Sequence, residues 1–357
     1  MRSIVELEEL VNDLPPAIAG AARRILAIST ATATLEAPSE MRGWISSVFG
    51  SLDAVRRQRI VRVTNVVTLE GALFNEVRSR RPKDVRGVDD VRKAIAESVG
   101  DPFCRVDTGT PRDSFGHVAG ARGTAVSNVA KYDGLHGVLV FDEHDPLAPL
   151  SAEVLADRFG TARAWATKGL AADPASRYYF LLWNALWRAG GSIVHGHMQM
   201  TLTRGLHYPK VEALRRHSVA YRSQHASDYF EDLWSVHDAL GLGMTVGGAR
   251  AMAYLAPIKE REIIVLGRPG EDESALAGGI AHALATLRRE GATAHNLALY
   301  LPPLSADGAD WSRFPPLARL VDRGDPADRT SDIGAMELYA ASVVASDPFR
   351  TAEALRR

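Results

Sequence analysis

Two histidines and a glutamine at alternate positions, His195-Gly-His197-Met-Gln199, lie inside a run of apolar and β-branched residues from Ile193 to Thr203. If that run is extended, side chains alternate between faces, so His195, His197 and Gln199 share one surface while Val194, Met198 and Met200 anchor the other. A neutral imidazole is a competent nucleophile near neutral pH once its second nitrogen donates a hydrogen bond that fixes the tautomer. Attack by His197 on the α-phosphorus of a nucleotide would give a phosphoramidate and divide one displacement into two, with a second acceptor that need not be water. Gln199 does not titrate and suits hydrogen bonding to a phosphoryl oxygen. Gly196 leaves room between the histidines for close approach of a ligand or of backbone.

Upstream, Asn184, Gly190, Gly191 and Ser192 make the kind of turn that offers backbone N–H groups and a hydroxyl to phosphate. Further off, Asn75 precedes a basic run of Arg78, Arg80, Arg81 and Lys83, which could contact a polyphosphate or sugar phosphate but reads equally well as a solvated face. A His-x-His pair on a strand also occurs as a plain surface pair or as two of three metal ligands; no carboxylate stands nearby to complete a metal-dependent hydrolase. His117, His144 and His207 have no neighbour at metal-ligand spacing and are expected to be structural or exposed. Cys104 reads as a quiet small apolar residue, and Trp165, Phe180, Trp183 and Trp187 as core.

The order Asn184, Gly190, Ser192, His195-x-His197-x-Gln199 resembles the transferase branch of the histidine-triad superfamily. That branch holds the galactose-1-phosphate uridylyltransferases and the diadenosine tetraphosphate phosphorylases, and carries Gln where the hydrolases carry a third His. The resemblance implies that His197 is nucleotidylated, that His195 is its structural and electrostatic partner, and that Gln199 is a phosphate ligand. It makes Ser192 and Asn184 phosphate-positioning groups. Asn128, Lys131 and His136 are similar to a phosphorylase segment lining the nucleoside and phosphate pocket, and Phe74 to Pro82 to the Asn- and Arg-rich segment of both subfamilies. His295 to Tyr300 and Asp332 to Ala335 are similar to the phosphorylase C-terminal domain. The resemblance spans residues 60 to 345, of which 184 to 199 are the specific part. Two positions depart from it: Gly196 stands where the uridylyltransferases usually carry Pro, and the lone Cys104 where they often carry a Cys-x-x-Cys zinc site. The expectation is therefore no metal among the site residues and no cofactor required by the chemistry.

The elements that must position these residues suggest an α+β protein. Residues 1 to 58 read as a helical N-terminal cap, 59 to 210 as a catalytic half and 211 to 357 as a second half of the same recipe. In the terms of the resemblance these are two histidine-triad-like antiparallel-sheet halves with packed helices. Strands are expected at Ile60–Val63, Asn65–Leu69, Gly137–Phe141, Tyr178–Trp183, Ile193–Thr203, Ala251–Leu255, Glu262–Leu266 and Asn296–Leu301. Helices are expected from Ser151 to Leu170, from Val211 to Leu240 and from Glu273 to Glu290, with Pro302 to Thr330 as a loop.

Composition bounds the rest. The 357 residues, 46% hydrophobic and 24% charged, are those of a folded globular chain. A net charge of -1 supplies no bulk field for nucleic acid or an acidic membrane, and no apolar run approaches the roughly 18 to 20 residues needed to cross a bilayer. One cysteine excludes an intrachain disulfide and fits a reducing, cytoplasmic setting. Expected partners are a nucleotide or nucleotide-sugar donor and a phosphate or sugar-phosphate acceptor, with room for a homodimer. The expected activity is ping-pong nucleotidyl transfer. A diadenosine tetraphosphate phosphorylase-like reaction (ATP adenylyltransferase) comes first on the Asn128 to His136 spacing. Hexose-1-phosphate uridylyl transfer follows, then a nucleotide-sugar phosphorylase. A degenerate site that only binds nucleotides is the reading of a different class.

Overall fold

The computed structural model describes residues 2–80, 91–328 and 330–357; Arg81 and Lys83 of the basic run lie outside them. Fourteen strands occur among the described residues. They are β1 (Leu26–Thr34), β2 (Arg57–Asn65), β3 (Glu70–Phe74), β4 (Val118–Ala119), β5 (Gly123–Ser127), β6 (Leu135–Phe141), β7 (Ser176–Ala185), β8 (His197–Arg204), β9 (Gly243–Val246), β10 (Ala249–Ala253), β11 (Ile263–Leu266), β12 (His295–Tyr300), β13 (Leu317–Asp322) and β14 (Ser342–Val344). Ten of them form one sheet in the order β4-β5-β6-β8-β7-β12-β13-β11-β10-β9, and β1-β2-β3-β14 form a second. Every pair in the large sheet is antiparallel. The protein is thus α+β, and both halves follow one recipe: hairpin, helix, hairpin. The first half runs β5, β6, the helix Ala152–Ala172, β7, β8, and the second β10, β11, the helix Ala277–Arg289, β12, β13. The two meet edge to edge at β7 and β12, where Asn184 pairs with Asn296 and Leu182 with Ala298. No break in the sheet marks residue 210.

Helices cover the two faces differently, and this exposes the site. On one face, Leu155, Phe159 and Trp165 of the first helix and Ile280, Leu284 and Leu287 of the second bury Met198, Met200, Leu181 and Leu299. The opposite face of the second half is covered by the helices Pro209–His225 and Tyr229–Ala239, whose Leu214, Tyr229, Phe230 and Leu233 pack on Met252, Ile264, Leu266 and Leu317. On that same face of the first half lie His197 and Gln199. Ser151 caps its helix as expected, its hydroxyl accepting from the Val154 N–H at 3.3 Å.

Several sequence expectations need correction. Residues 1–58 are not all helical, because Leu26–Thr34 pairs along its whole length with β2. Its alternating Ile28, Thr30, Thr32 and Thr34 carry β-branched side chains on a half-exposed ribbon. Nor is the segment a separate cap, since Leu7, Val11, Ala22 and Ile25 belong to the core built on the second half's helices. The expected strand Asn65–Leu69 is the turn between β2 and β3, held by Asn65 Oδ1 accepting from the Val67 and Thr68 N–H groups at 3.0 and 3.2 Å. The long helix 211–240 is two, separated at Ala226, which takes a left-handed conformation (φ 51°), before Asp228 caps the next. Finally, the stretch read as a loop from Pro302 contains β13. Arg319 interrupts its apolar pattern, yet is buried in a central strand because Glu262 and Glu70 neutralise it. No described helix is long and apolar enough to cross a membrane.

Candidate active site

His197 opens β8, where it registers with Val140 of β6. Its Nδ1 lies 2.8 Å from the backbone oxygen of His195. A carbonyl can only accept, so Nδ1 carries the proton and Nε2 carries the lone pair. Nε2 has no hydrogen-bond partner among the described residues and is not sealed from solvent, although the residue as a whole is only 7% exposed. Burial pushes the imidazole below its usual pKa, against the bond to His195, which raises it. The Phe103 ring packs edge-on against the imidazole, 5.2 Å away centre to centre, and confines it further. These are the conditions for a neutral nitrogen nucleophile.

Gln199 sits one alternation along the strand, on the same face. His136 accepts the Tyr132 N–H at Nδ1 (3.4 Å), which leaves a proton on Nε2 for Gln199 Oε1 at 3.0 Å. The Tyr132 hydroxyl reaches the same oxygen at 3.3 Å, while Asn128 Oδ1 accepts from the Ala130 N–H at 3.0 Å within its own loop. With its oxygen engaged twice, Gln199 turns its NH2 outward as a donor. Burial lowers the His136 pKa, the bond to Gln199 opposing. Across β7, Leu182 registers with Gln199, which puts Asn184, two residues on, on this face toward His197. Gly191 is required where the chain turns back, since a Cβ there would sit 2.7 Å from the Asn184 carbonyl oxygen. Gly190 takes a left-handed conformation (φ 94°), and Ser192 stands exposed just beyond.

Behind His197 lies a cluster that the sequence concealed. His195 Nε2 is 2.8 Å from the Phe141 carbonyl and His144 Nε2 is 3.0 Å from the Ile95 carbonyl. Both rings therefore carry their protons on the far side and point bare Nδ1 lone pairs at each other across 3.1 Å. Cys104 Sγ lies 3.2 Å from His144 Nδ1 and 3.5 Å from His195 Nδ1; Asp101 Oδ1 is 3.6 Å from His195 Nδ1. Asp101 Oδ2 is buried without a partner. Four donor atoms within 4.8 Å of one another, two of them opposed lone pairs, fit a cation of the kind that takes nitrogen, sulfur and carboxylate ligands in a tetrahedron. The expectation that His144 has no partner at ligand distance is thus corrected, and so is that of a quiet Cys104. In the sequence it leaves only Asp101-x-x-Cys104, an i, i+3 pair that does not name the histidines it meets. Burial lowers the His195 pKa against the Phe141 bond.

The remaining sequence candidates are scattered. Lys131 uses its ammonium on Ser127 Oγ (2.7 Å), the His136 carbonyl (3.1 Å) and Asp113 (3.2 Å), so it braces the loop before β6. Asn75 bonds Gln58 Oε1 and the Val77 N–H, and Arg80 the Phe49 carbonyl, all on the small sheet and its connections. Arg78 lines a cleft of about 370 Å³ with Arg188, Lys259 and Arg323. At Gly196 a Cβ would meet the Phe141 ring at 2.6 Å, so the missing side chain admits that ring and not a ligand. His207 is buried, as expected of a structural residue.

No family model and no curated protein matches the sequence. Among solved structures, the fold is similar to an ADP-glucose phosphorylase from Arabidopsis thaliana, solved with ADP-glucose bound, at TM-score 0.62 and 14% identity, covering 82% of this chain and 97% of that one. It is also similar to a GalT-like protein from the same plant (TM-score 0.57, 14% identity, 72% and 92% covered). A uridylyltransferase matches at TM-score 0.56 and 16% identity over 67% of this chain and 85% of that one. At such identities the likeness establishes the fold alone: the ten-stranded antiparallel sheet built from two edge-joined halves.

Proposed function

We propose that the protein is a nucleotidyltransferase or phosphorylase that carries a nucleoside monophosphate on His197. The observation that carries this reading is the Nδ1 bond to the His195 carbonyl, which leaves Nε2 as an open lone pair on the face that bears Gln199. In the first step Nε2 attacks the α-phosphorus, a P–N bond forms, and the P–O bond to the leaving phosphate breaks with its electron pair. No proton has to move. The imidazole becomes cationic with Nδ1–H still donating to the carbonyl, so that bond strengthens as charge develops. In the second step an acceptor phosphate oxygen attacks phosphorus and the P–N electrons return to Nε2. The outward NH2 of Gln199, the Asn184 amide and the Gly190 to Ser192 turn would donate to the phosphoryl oxygens.

No step in this scheme calls on a metal. A divalent cation held by Asp101, Cys104, His144 and His195 would act as a clamp, fixing the carbonyl-bearing residue behind the nucleophile. For the donor we favour a nucleoside diphosphate sugar, with phosphate or a sugar phosphate as acceptor. The Asn128 to His136 spacing, which first suggested a dinucleotide polyphosphate, has another use here: Lys131 is saturated, Asn128 Oδ1 holds the Ala130 N–H, and His136 serves Gln199. Diadenosine tetraphosphate is the second reading.

The test is covalent labelling. The protein is mixed with ADP-glucose, UDP-glucose or diadenosine tetraphosphate, each radiolabelled in an α-phosphate. The expected product is an acid-labile, alkali-stable adduct that His197→Ala abolishes with the fold retained, and the donor that labels fastest names the base. A binding-only protein forms no adduct. Labelling that survives in His197→Ala would end the proposal.

A further inference from the structure

We infer that Asn296, supplied by the second half, is a positioning residue for transfer at His197; the inference rests on the reading above. Asn296 registers with Asn184 across the β12–β7 seam. Its Nδ2 donates to Asn184 Oδ1 at 2.7 Å and to the Ala189 carbonyl at 2.8 Å, while its own Oδ1 accepts from Arg323 Nη1 at 2.6 Å. Arg323 is held in turn by both oxygens of Asp332, each at 2.9 Å. The amide of Asn296 therefore has one orientation. Turned over, it would press NH2 against a guanidinium and oxygen against two acceptors.

Two features of the catalytic half follow from that orientation. Because Asn184 Oδ1 is occupied, the group left over is its Nδ2, a donor with no partner among the described residues. That nitrogen lies 3.8 Å from where a Cβ of Gly190 would stand, so it sits over the turn that precedes Ser192. The second bond, to Ala189, anchors the residue immediately before that turn. One side chain from outside the catalytic half thus fixes both an amide donor and the backbone beside it, without itself touching substrate. The line Asp332, Arg323, Asn296, Asn184 does for this donor what Tyr132 and His136 do for Gln199: each occupies the amide oxygen and leaves the NH2 to face the phosphate.

Asn296→Asp tests this at constant volume. The carboxylate keeps the Arg323 contact but offers oxygen to Asn184 Oδ1 and to the Ala189 carbonyl. Asn184 then relieves the clash by turning its amide over, which aims its carbonyl at the phosphoryl oxygens. Loss of one such donor typically costs about 100-fold or more in rate. We expect single-turnover adduct formation from saturating, α-labelled ADP-glucose, UDP-glucose or diadenosine tetraphosphate to slow by about that factor, with the melting temperature within a few degrees of wild type. In an Asn184→Ala background, Asn296→Asp should cost less than about threefold more, since the residue it acts through is gone. Asn296→Ala should fall between wild type and Asn296→Asp. If wild type forms no adduct with any donor, the nucleophile reading fails and takes this inference with it. If wild type labels but Asn296→Asp labels at the same rate, or its loss is undiminished in the Asn184→Ala background, only the role of Asn296 is overturned.

Discussion

At the scale of single residues, the site is built by occupying one end of each polar group so that the other end is determined. A backbone carbonyl takes the Nδ1–H of His197, and an imidazole and a phenol take the oxygen of Gln199. Gln199→Ala should therefore slow adduct formation by about 100-fold while leaving the alkali stability of the adduct unchanged; a loss below about threefold in single-turnover labelling would remove Gln199 from the phosphate-binding set. The opposed lone pairs of His144 and His195 give a second expectation. Purified protein should hold about one divalent cation per chain, measured by mass spectrometry of the metal after dialysis, and His144→Ala or Cys104→Ser should lose it. Wild type that stays metal-free after exposure to zinc would show that a shared proton, not an ion, separates the two rings. The shared face of His197 and Gln199 was legible in sequence because strand alternation alone produces it. The cation cluster was not, because Asp101, Cys104, His144 and His195 come from three separated segments.

At the scale of elements, the turn from β7 into β8 is set by backbone packing against backbone. A Cβ at Gly191 would lie 2.7 Å from the Asn184 oxygen and 3.1 Å from that of Leu186, neither of which can rotate away. Gly191→Ala should lower stability by about 1–3 kcal/mol, read as a drop in the urea midpoint, and should slow labelling as well. A stable variant with full labelling would show that this turn yields without consequence. By comparison, Gly196 makes room for Phe141, whose ring packs at 5.3 Å from Trp183, centre to centre. Strand β13 shows why element reading from sequence failed there. Arg319 interrupts the apolar pattern, and the two carboxylates that make it tolerable lie 57 and 249 residues away in the chain.

At the scale of the whole molecule, three buried histidines that take no part in the proposed transfer make stability depend on pH. His207 and His237 are pushed down to about 4 and His295 to about 3, in each case chiefly by burial. An unfolded histidine titrates near about 6.5, so between these values the unfolded chain binds more protons than the folded one. Stability is then fully present above about pH 6.5 and is lost as pH falls toward 4. His237 alone, with both ring nitrogens bonded to backbone, would contribute on the order of 3 kcal/mol across that window. The urea midpoint should already fall between pH 6.5 and 5, before ordinary carboxylates take up protons. A flat midpoint over that range would mean these rings are charged inside the fold.

The sequence alone determined the α+β class and the face shared by His197 and Gln199, and outlined the recipe of the two halves without β13, because strand alternation and helix caps act over a few residues. Only the tertiary structure decided which end of each amide faces outward, that four ligand-type side chains converge behind His195, and that Asn296 of one half holds Asn184 of the other. Those are properties of pairs far apart in the chain, fixed by strand register and burial, and no local spacing encodes them.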